Sequence, residues 1–257
     1  MTALQAPGWP ARSPGARPLV VGHRGAAGLA PENTLLALAA GLQHGADALE
    51  FDVSALAGGD LVVTHEERLL SLSLAEARER SPGLLTLDEA LAWLAGSAPG
   101  LGVHADVKCL GREEEIVAAL ARHGLLGRSL VSSNQAVGLR RFAEVAPALQ
   151  RALGYPHDRH GASTRPWLAP GVEAALVALR CALPLRIAGL LRASSATVAA
   201  LERRVVSPAV IRRCHALGVP VHVWTVNDPA EAARLAGLGA DAIVSDRPQL
   251  LAATLPV

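Results

Sequence analysis

The chain carries almost no net charge: 24 Lys and Arg against 23 Asp and Glu leave +1 at neutral pH. No global field therefore draws it to nucleic acid or to an anionic membrane surface. An unbroken apolar run of membrane-spanning length is also missing. The densest stretch, residues 172–191, is interrupted by Arg180, Pro184 and Arg186, and the expectation is a protein with no membrane span. The first 18 residues, rich in Pro and Gly and carrying Arg12 and Arg17, lack the continuous apolar core of a signal peptide and read as a flexible tail. Cysteine is scarce. Cys109, Cys181 and Cys214 are odd in number and show no paired zinc spacing, which suits reduced, buried thiols in a cytoplasmic protein. Lysine is scarcer still: of the 24 basic residues, 23 are Arg and one is Lys108.

What remains is a chain with ample core. Hydrophobic residues make up 51% and charged ones only 18%, which leaves little room for disorder. Strand-length apolar runs alternate with helix-period segments along residues 19–257. Strands are expected at residues 19–22, 46–53, 101–108, 130–133, 148–153, 197–201, 219–225 and 242–245, with a short extended segment at 60–65 after the Gly58-Gly59 turn. Helices are expected between them, one of them over residues 88–95 with Thr86 as its cap. Eight buried, non-alternating strands separated by helices predict a single-domain α/β fold, the parallel (β/α)8 TIM barrel. A doubly wound open sheet is the alternative, weakened because no dinucleotide-type glycine fingerprint follows the first strand.

Polar residues collect at the carboxyl ends of these strands, where such barrels place their chemistry. Glu50 and Asp52 bracket Phe51 within one apolar run, and a side-chain period of two puts both carboxylates on one face. Two buried like charges are costly unless a cation or a proton neutralises them. Asp106 and Lys108 repeat the spacing on the third strand, and a compact ammonium kept in an otherwise all-arginine background points to a specific use. Three hard carboxylates suit Mg²⁺ or Ca²⁺. Arg24 and Lys108 offer an anion positive charge and donors, while His23 and His65 pass protons near neutral pH. That set matches metal-assisted phosphoryl chemistry. Trp224 needs a partner for its indole N–H at the mouth and is expected to line the substrate site. Asn33 and Thr34 suit helix capping as well as they suit function. Asp246 is expected to tie down the last loop, and His104 faces inward like Asp106.

The ordered motifs His23-Arg24-Gly25, Pro31-Glu32-Asn33-Thr34, Glu50-Phe51-Asp52-Val53, Val62-Val63-Thr64-His65, Asp106-Val107-Lys108, Trp224-Thr225-Val226-Asn227 and Gly239-Ala240-Asp241-Ala242-Ile243-Val244-Ser245-Asp246 resemble the glycerophosphodiester phosphodiesterase family over nearly the whole chain. The resemblance implies a TIM barrel that uses a divalent cation to hydrolyse small glycerophosphodiesters to glycerol 3-phosphate and an alcohol. It makes Glu50, Asp52 and Asp106 the metal ligands, His23 and His65 the acid/base pair, and Arg24 and Lys108 the phosphate clamp. The substrate's glycerol 2-hydroxyl is then expected to attack phosphorus, and water to open the cyclic product. The family pattern usually has Glu where Asp106 stands, Asp where Glu66 stands, and a small polar or apolar residue at the place of His104. Only about twenty residues separate His65 from Thr86, so a small, open pocket is expected. Two other readings stand beside this one: a phospholipase D-like enzyme or lyase that releases a cyclic phosphate from lysophospholipids, and a non-catalytic phosphoester-binding barrel.

Overall fold

The computed structural model describes residues 16–157 and 165–255. Its elements run β1 (Leu19–Gly22), α1 (Leu35–Gln43), β2 (Ala48–Ala55), β3 (Leu61–Val63), α2 (Leu74–Arg80), β4 (Leu85–Thr86), α3 (Leu87–Ser97), β5 (Gly102–Val107) and α4 (Glu113–Arg122). They continue through β6 (Ser129–Ser133), α5 (Ala136–Val145), β7 (Gln150–Tyr155), α6 (Ala169–Ser194), β8 (Val198–Glu202), α7 (Pro208–His215), β9 (Val221–Trp224), α8 (Pro229–Leu238), β10 (Ala242–Ser245) and α9 (Pro248–Thr254). Eight strands pair in parallel in the order β1-β10-β9-β8-β7-β6-β5-β2, and β1 pairs with β2 to close the ring. The expected barrel is therefore present. β3 and β4 extend it as an antiparallel hairpin from the outer end of β2.

The period of two along each strand sorts side chains between two environments. From β2 and β5, Leu49, Phe51, Val53, Val103, Ala105 and Val107 point outward into a buried cluster shared with the surrounding helices. Val20, Ala199, Leu201, Val223 and Ile243 do the same on the opposite side. The inward positions hold mostly small residues, Val21, Ala48, Ala242 and Val244 on one side and Ala152, Val198 and Ala200 around the larger Leu130 on the other. Small inward residues leave space inside the upper barrel, and the polar positions of β2 and β5 face that space.

The helices are set by caps the sequence supplies. Thr34 caps α1 by accepting from the Ala37 N–H, and Ser73 and Thr86 form capping boxes with Glu76 and Glu89. The short α2 and β4, and the terminal α9, lie outside the sequence-based expectation. A seven-residue helix and a two-residue strand carry too few turns of periodicity to announce themselves.

Three expectations need restating. α6 has 26 residues and contains an 18-residue stretch with a mean hydropathy of 1.8, long and apolar enough by those criteria to cross a membrane, which the interrupted run 172–191 was expected to rule out. Pro184 sits inside it without ending it. Its place in the chain is the β7-to-β8 crossover, where Leu176, Leu183, Ile187 and Leu191 bury against the barrel. Cys181, expected to be buried, is exposed on α6, whereas Cys214 is buried and Cys109 half-buried. Of the expected N-terminal tail, residues 1–15 lie outside the described residues.

Candidate active site

All eight residues singled out for chemistry line one cavity of about 260 Å³ at the carboxyl end of the strands: His23, Arg24, Glu50, Asp52, His65, Asp106, Lys108 and Trp224. The turn leaving β1 fixes the first two. Arg24 and Gly25 both adopt positive φ, +50° and +86°. A Cβ at Gly25 would lie 2.4 Å from the Ala37 carbonyl carbon, so only glycine lets the turn pack on α1. The Gly25 N–H donates to the Glu50 carbonyl at 2.8 Å, and the His23 N–H to that of Ser245 at the same distance. Backbone bonds to β2 and β10 thereby hold the turn over the mouth.

Each carboxylate has its own holder. Glu50 Oε2 accepts from the Arg24 backbone N–H at 2.7 Å. Asp52 Oδ2 accepts from Asn33 Nδ2 at 2.9 Å, and Asn33 Oδ1 in turn accepts from the Asp52 N–H at 3.0 Å. Arg24 Nε lies 3.1 Å from Asp52 Oδ2, and Lys108 Nζ 2.9 Å from Asp52 Oδ1. The same ammonium contacts Asp106 Oδ2, so it bridges two strands. Asn33, at φ +59°, is thus a positioning group for Asp52, whereas Thr34 beside it is the cap.

The electrostatics separate the two neighbours on β2. Burial, reinforced by the charges of Asp52 and Asp106 and only partly offset by His23, pushes the Glu50 carboxyl up to about 7. Burial acts on Asp52 in the same direction, but Lys108, Arg24 and the Asn33 hydrogen bond outweigh it and hold its carboxyl below the usual range. Lys108 is held charged against its own burial by Asp106 and Asp52. Carboxylate oxygens of Glu50, Asp52 and Asp106 lie within 4.8 Å of one another. The donor set is all oxygen, and Glu50, unlike Asp52 and Asp106, is met by no Lys or Arg side chain, only by His23 at 4.0 Å. Both facts fit a hard divalent cation seated among the three.

The two imidazoles differ in the same way. His23 Nδ1 lies 2.6 Å from Asp246 Oδ1. Burial lowers its pKa, yet the Asp246 hydrogen bond and the Glu50 charge raise it above the ordinary value overall. His65, after β3, is lowered by burial and by the Arg24 charge. Asp246, expected only to tie down its loop, therefore has a second part, orienting His23. It does both, since Asp246 Oδ2 also accepts from Asn227 Nδ2 at 2.6 Å. The signal that finds this pairing is barrel closure: β1 and β10 are neighbours, Gly22 level with Ser245, so residues 23 and 246 meet above them. Trp224 sits on the inward layer beside Ala200 and Val244. Asn134 also lines the cavity, and a Cβ at Gly154 would sit 2.1 Å from its Oδ1.

Comparison with known proteins now decides the family. The model of the glycerophosphoryl diester phosphodiesterase family matches residues 23–76 and 157–250, more than half of the chain. The chain belongs to that family. Among named relatives, the glycerophosphodiester phosphodiesterase of Caldanaerobacter subterraneus subsp. tengcongensis is 26% identical over 264 residues, covering 91% of this chain and 96% of the relative. Solved structures of the same architecture include an Oleispira antarctica phosphodiesterase in complex with the product sn-glycerol-3-phosphate. It is 24% identical, with a TM-score of 0.70 over 93% of this chain and 96% of that one. The glycerophosphodiester phosphodiesterase of Agrobacterium tumefaciens str. C58 is 22% identical with a TM-score of 0.68, over 92% and 99%. The family match spans the segments that carry the mouth residues of β1, β2, β3, β9 and β10. Asp106 and Lys108 lie between the matched segments, and their place rests on the geometry above.

Proposed function

We propose that the protein hydrolyses small glycerophosphodiesters to glycerol 3-phosphate and an alcohol, with a divalent cation held by Glu50, Asp52 and Asp106. The observation that carries this reading is the convergence of three clustered carboxylates, two cationic side chains and two imidazoles of opposed proton affinity on one cavity. Mg²⁺ and Ca²⁺ are the cations such an oxygen set suits, Ca²⁺ if the ligand cage is roomy and Mg²⁺ if it is tight. When bound, the cation supplies Lewis-acid relief of the charge that develops on the phosphoryl oxygens.

The chain's own groups do the rest. Arg24 and Lys108 present N–H donors to the phosphate, Arg24 from the turn after β1 and Lys108 from the end of β5. In the resting site His65 is the imidazole held neutral and able to take a proton from an attacking hydroxyl. His23, backed by Asp246, is held protonated and able to give one to the leaving alkoxide. The roles reverse when water opens the intermediate. Two groups whose environments drive their pKa values apart are what such a couple needs. Trp224 offers the glycerol moiety a flat wall.

The test is turnover of glycerophosphocholine and glycerophosphoethanolamine across a metal screen, followed by phosphorus NMR. The reading expects glycerol 3-phosphate, activity lost on EDTA and restored by Mg²⁺ or Ca²⁺. A cyclic phosphate that accumulates as the end product would instead mark the lyase reading. No turnover with any cation would leave a phosphoester-binding barrel.

A further inference from the structure

We infer that His104 is a positioning residue for the metal site: acting through Ser132, it fixes the carboxylate of Asp106. The inference rests on the reading of Glu50, Asp52 and Asp106 as one ligand set.

Asp106 on β5 is level with Ser132 on β6, and Ser132 Oγ donates to Asp106 Oδ1 at 2.7 Å. His104 lies two residues earlier on β5, and its Nε2 is 2.8 Å from the same Oγ. A hydroxyl has one proton, and an ionised carboxylate only accepts. Ser132 therefore spends its proton on Asp106, so His104 Nε2 must carry the hydrogen and donate to Ser132. The donors run in one direction, His104 to Ser132 to Asp106, and the imidazole is confined to its Nε2–H tautomer. His104 and Ser132 are 4% and 5% exposed, so no bulk water competes for these bonds.

The consequence reaches the site. Oδ2 of Asp106 faces Lys108 and Oδ1 is taken by Ser132, so both oxygens are assigned and the carboxylate has one orientation. Glu50 and Asp52 are held by a backbone N–H and by Asn33. Asp106, the least buried of the three carboxylates, is held from below by a two-link chain. Partners of this kind orient a ligand before the ion arrives.

The test is isothermal titration calorimetry of Mg²⁺ and Ca²⁺ into the full-length chain and its His104→Leu, Ser132→Ala, double and His104→Gln variants, with circular dichroism on each. Each of the first two substitutions is expected to weaken the better cation about 10- to 100-fold. The double variant should be no weaker than Ser132→Ala alone, because His104 acts through that hydroxyl. His104→Gln keeps an N–H donor and should recover most of the affinity. At saturating cation kcat should return toward wild type, which separates positioning from chemistry. A folded His104→Leu with unchanged affinity, or losses that multiply in the double variant, would overturn the inference. If His104→Leu does not fold, Ser132→Ala with wild-type affinity does the same. A Glu50→Gln control that binds the cation like wild type, or a wild-type chain that binds neither, would instead overturn the ligand reading itself.

Discussion

Glu50 and Asp52 occupy contrasting electrostatic environments, although only Phe51 separates them. Asp52 meets Lys108, Arg24 and Asn33, while Glu50 receives one backbone N–H and a histidine 4.0 Å away. The metal-free protein should register the difference. The Glu50 pKa is raised in the fold to about 7 from an ordinary 4.5, so the unfolded chain gives up that proton first. Stability from this group is complete below pH 4.5 and lost as pH rises through about 7. Glu50→Gln removes the penalty, and its metal-free melting temperature at pH 8 should exceed that of wild type by about 5 °C, while turnover disappears. Scanning calorimetry in EDTA checks this. The second expectation at this scale concerns Asp246, which raises the His23 pKa. Asp246→Asn should move the alkaline limb of the kcat/KM profile to lower pH and reduce kcat by about 10- to 100-fold. The acid limb, which the proposed mechanism assigns to His65, should stay in place.

At the scale of elements, β2 carries both the site and the outer core in alternate positions. Phe51 is fully buried among the helices while its two neighbours face the cavity. Phe51→Ala should cost about 3–5 kcal/mol by chemical denaturation, with weakened cation binding because the strand that presents two of the proposed ligands loses its anchor. The alternation explains why the sequence is readable here: once the run 46–53 is a strand, Glu50 and Asp52 must share a face. The partnerships that join different elements are not readable in this way. His104 is visibly inward-facing, but its bond to Ser132 depends on the register between β5 and β6. Asp246 reaches His23 only because the first and last strands are neighbours. α6 is readable within one element as β2 is: the apolar stretch after residue 171 reads as a helix to about Leu191, and the structure carries it through Pro184 to Ser194.

For the whole molecule, the barrel and its β3 extension bring side chains from the carboxyl ends of β1, β2, β3, β5 and β10 to one opening. The ring itself was legible in the count and order of apolar runs, because helix-separated parallel strands have few other closed arrangements. Cation binding should couple to the stability of this ring. A cation that binds only the native state at a concentration 100 times its Kd adds about 2.7 kcal/mol. The melting temperature should therefore rise with Mg²⁺ or Ca²⁺, and rise more at pH 8 than at pH 5.5, where protonation of Glu50 competes with the ion. Equal shifts at the two pH values would argue that the ion binds elsewhere.

The most direct measurement is anomalous diffraction from crystals soaked with Mn²⁺, a cation of similar oxygen preference. The account predicts a single strong peak among the carboxylates of Glu50, Asp52 and Asp106, absent from Glu50→Ala crystals. A peak outside that triad, or one that survives the substitution, would contradict it.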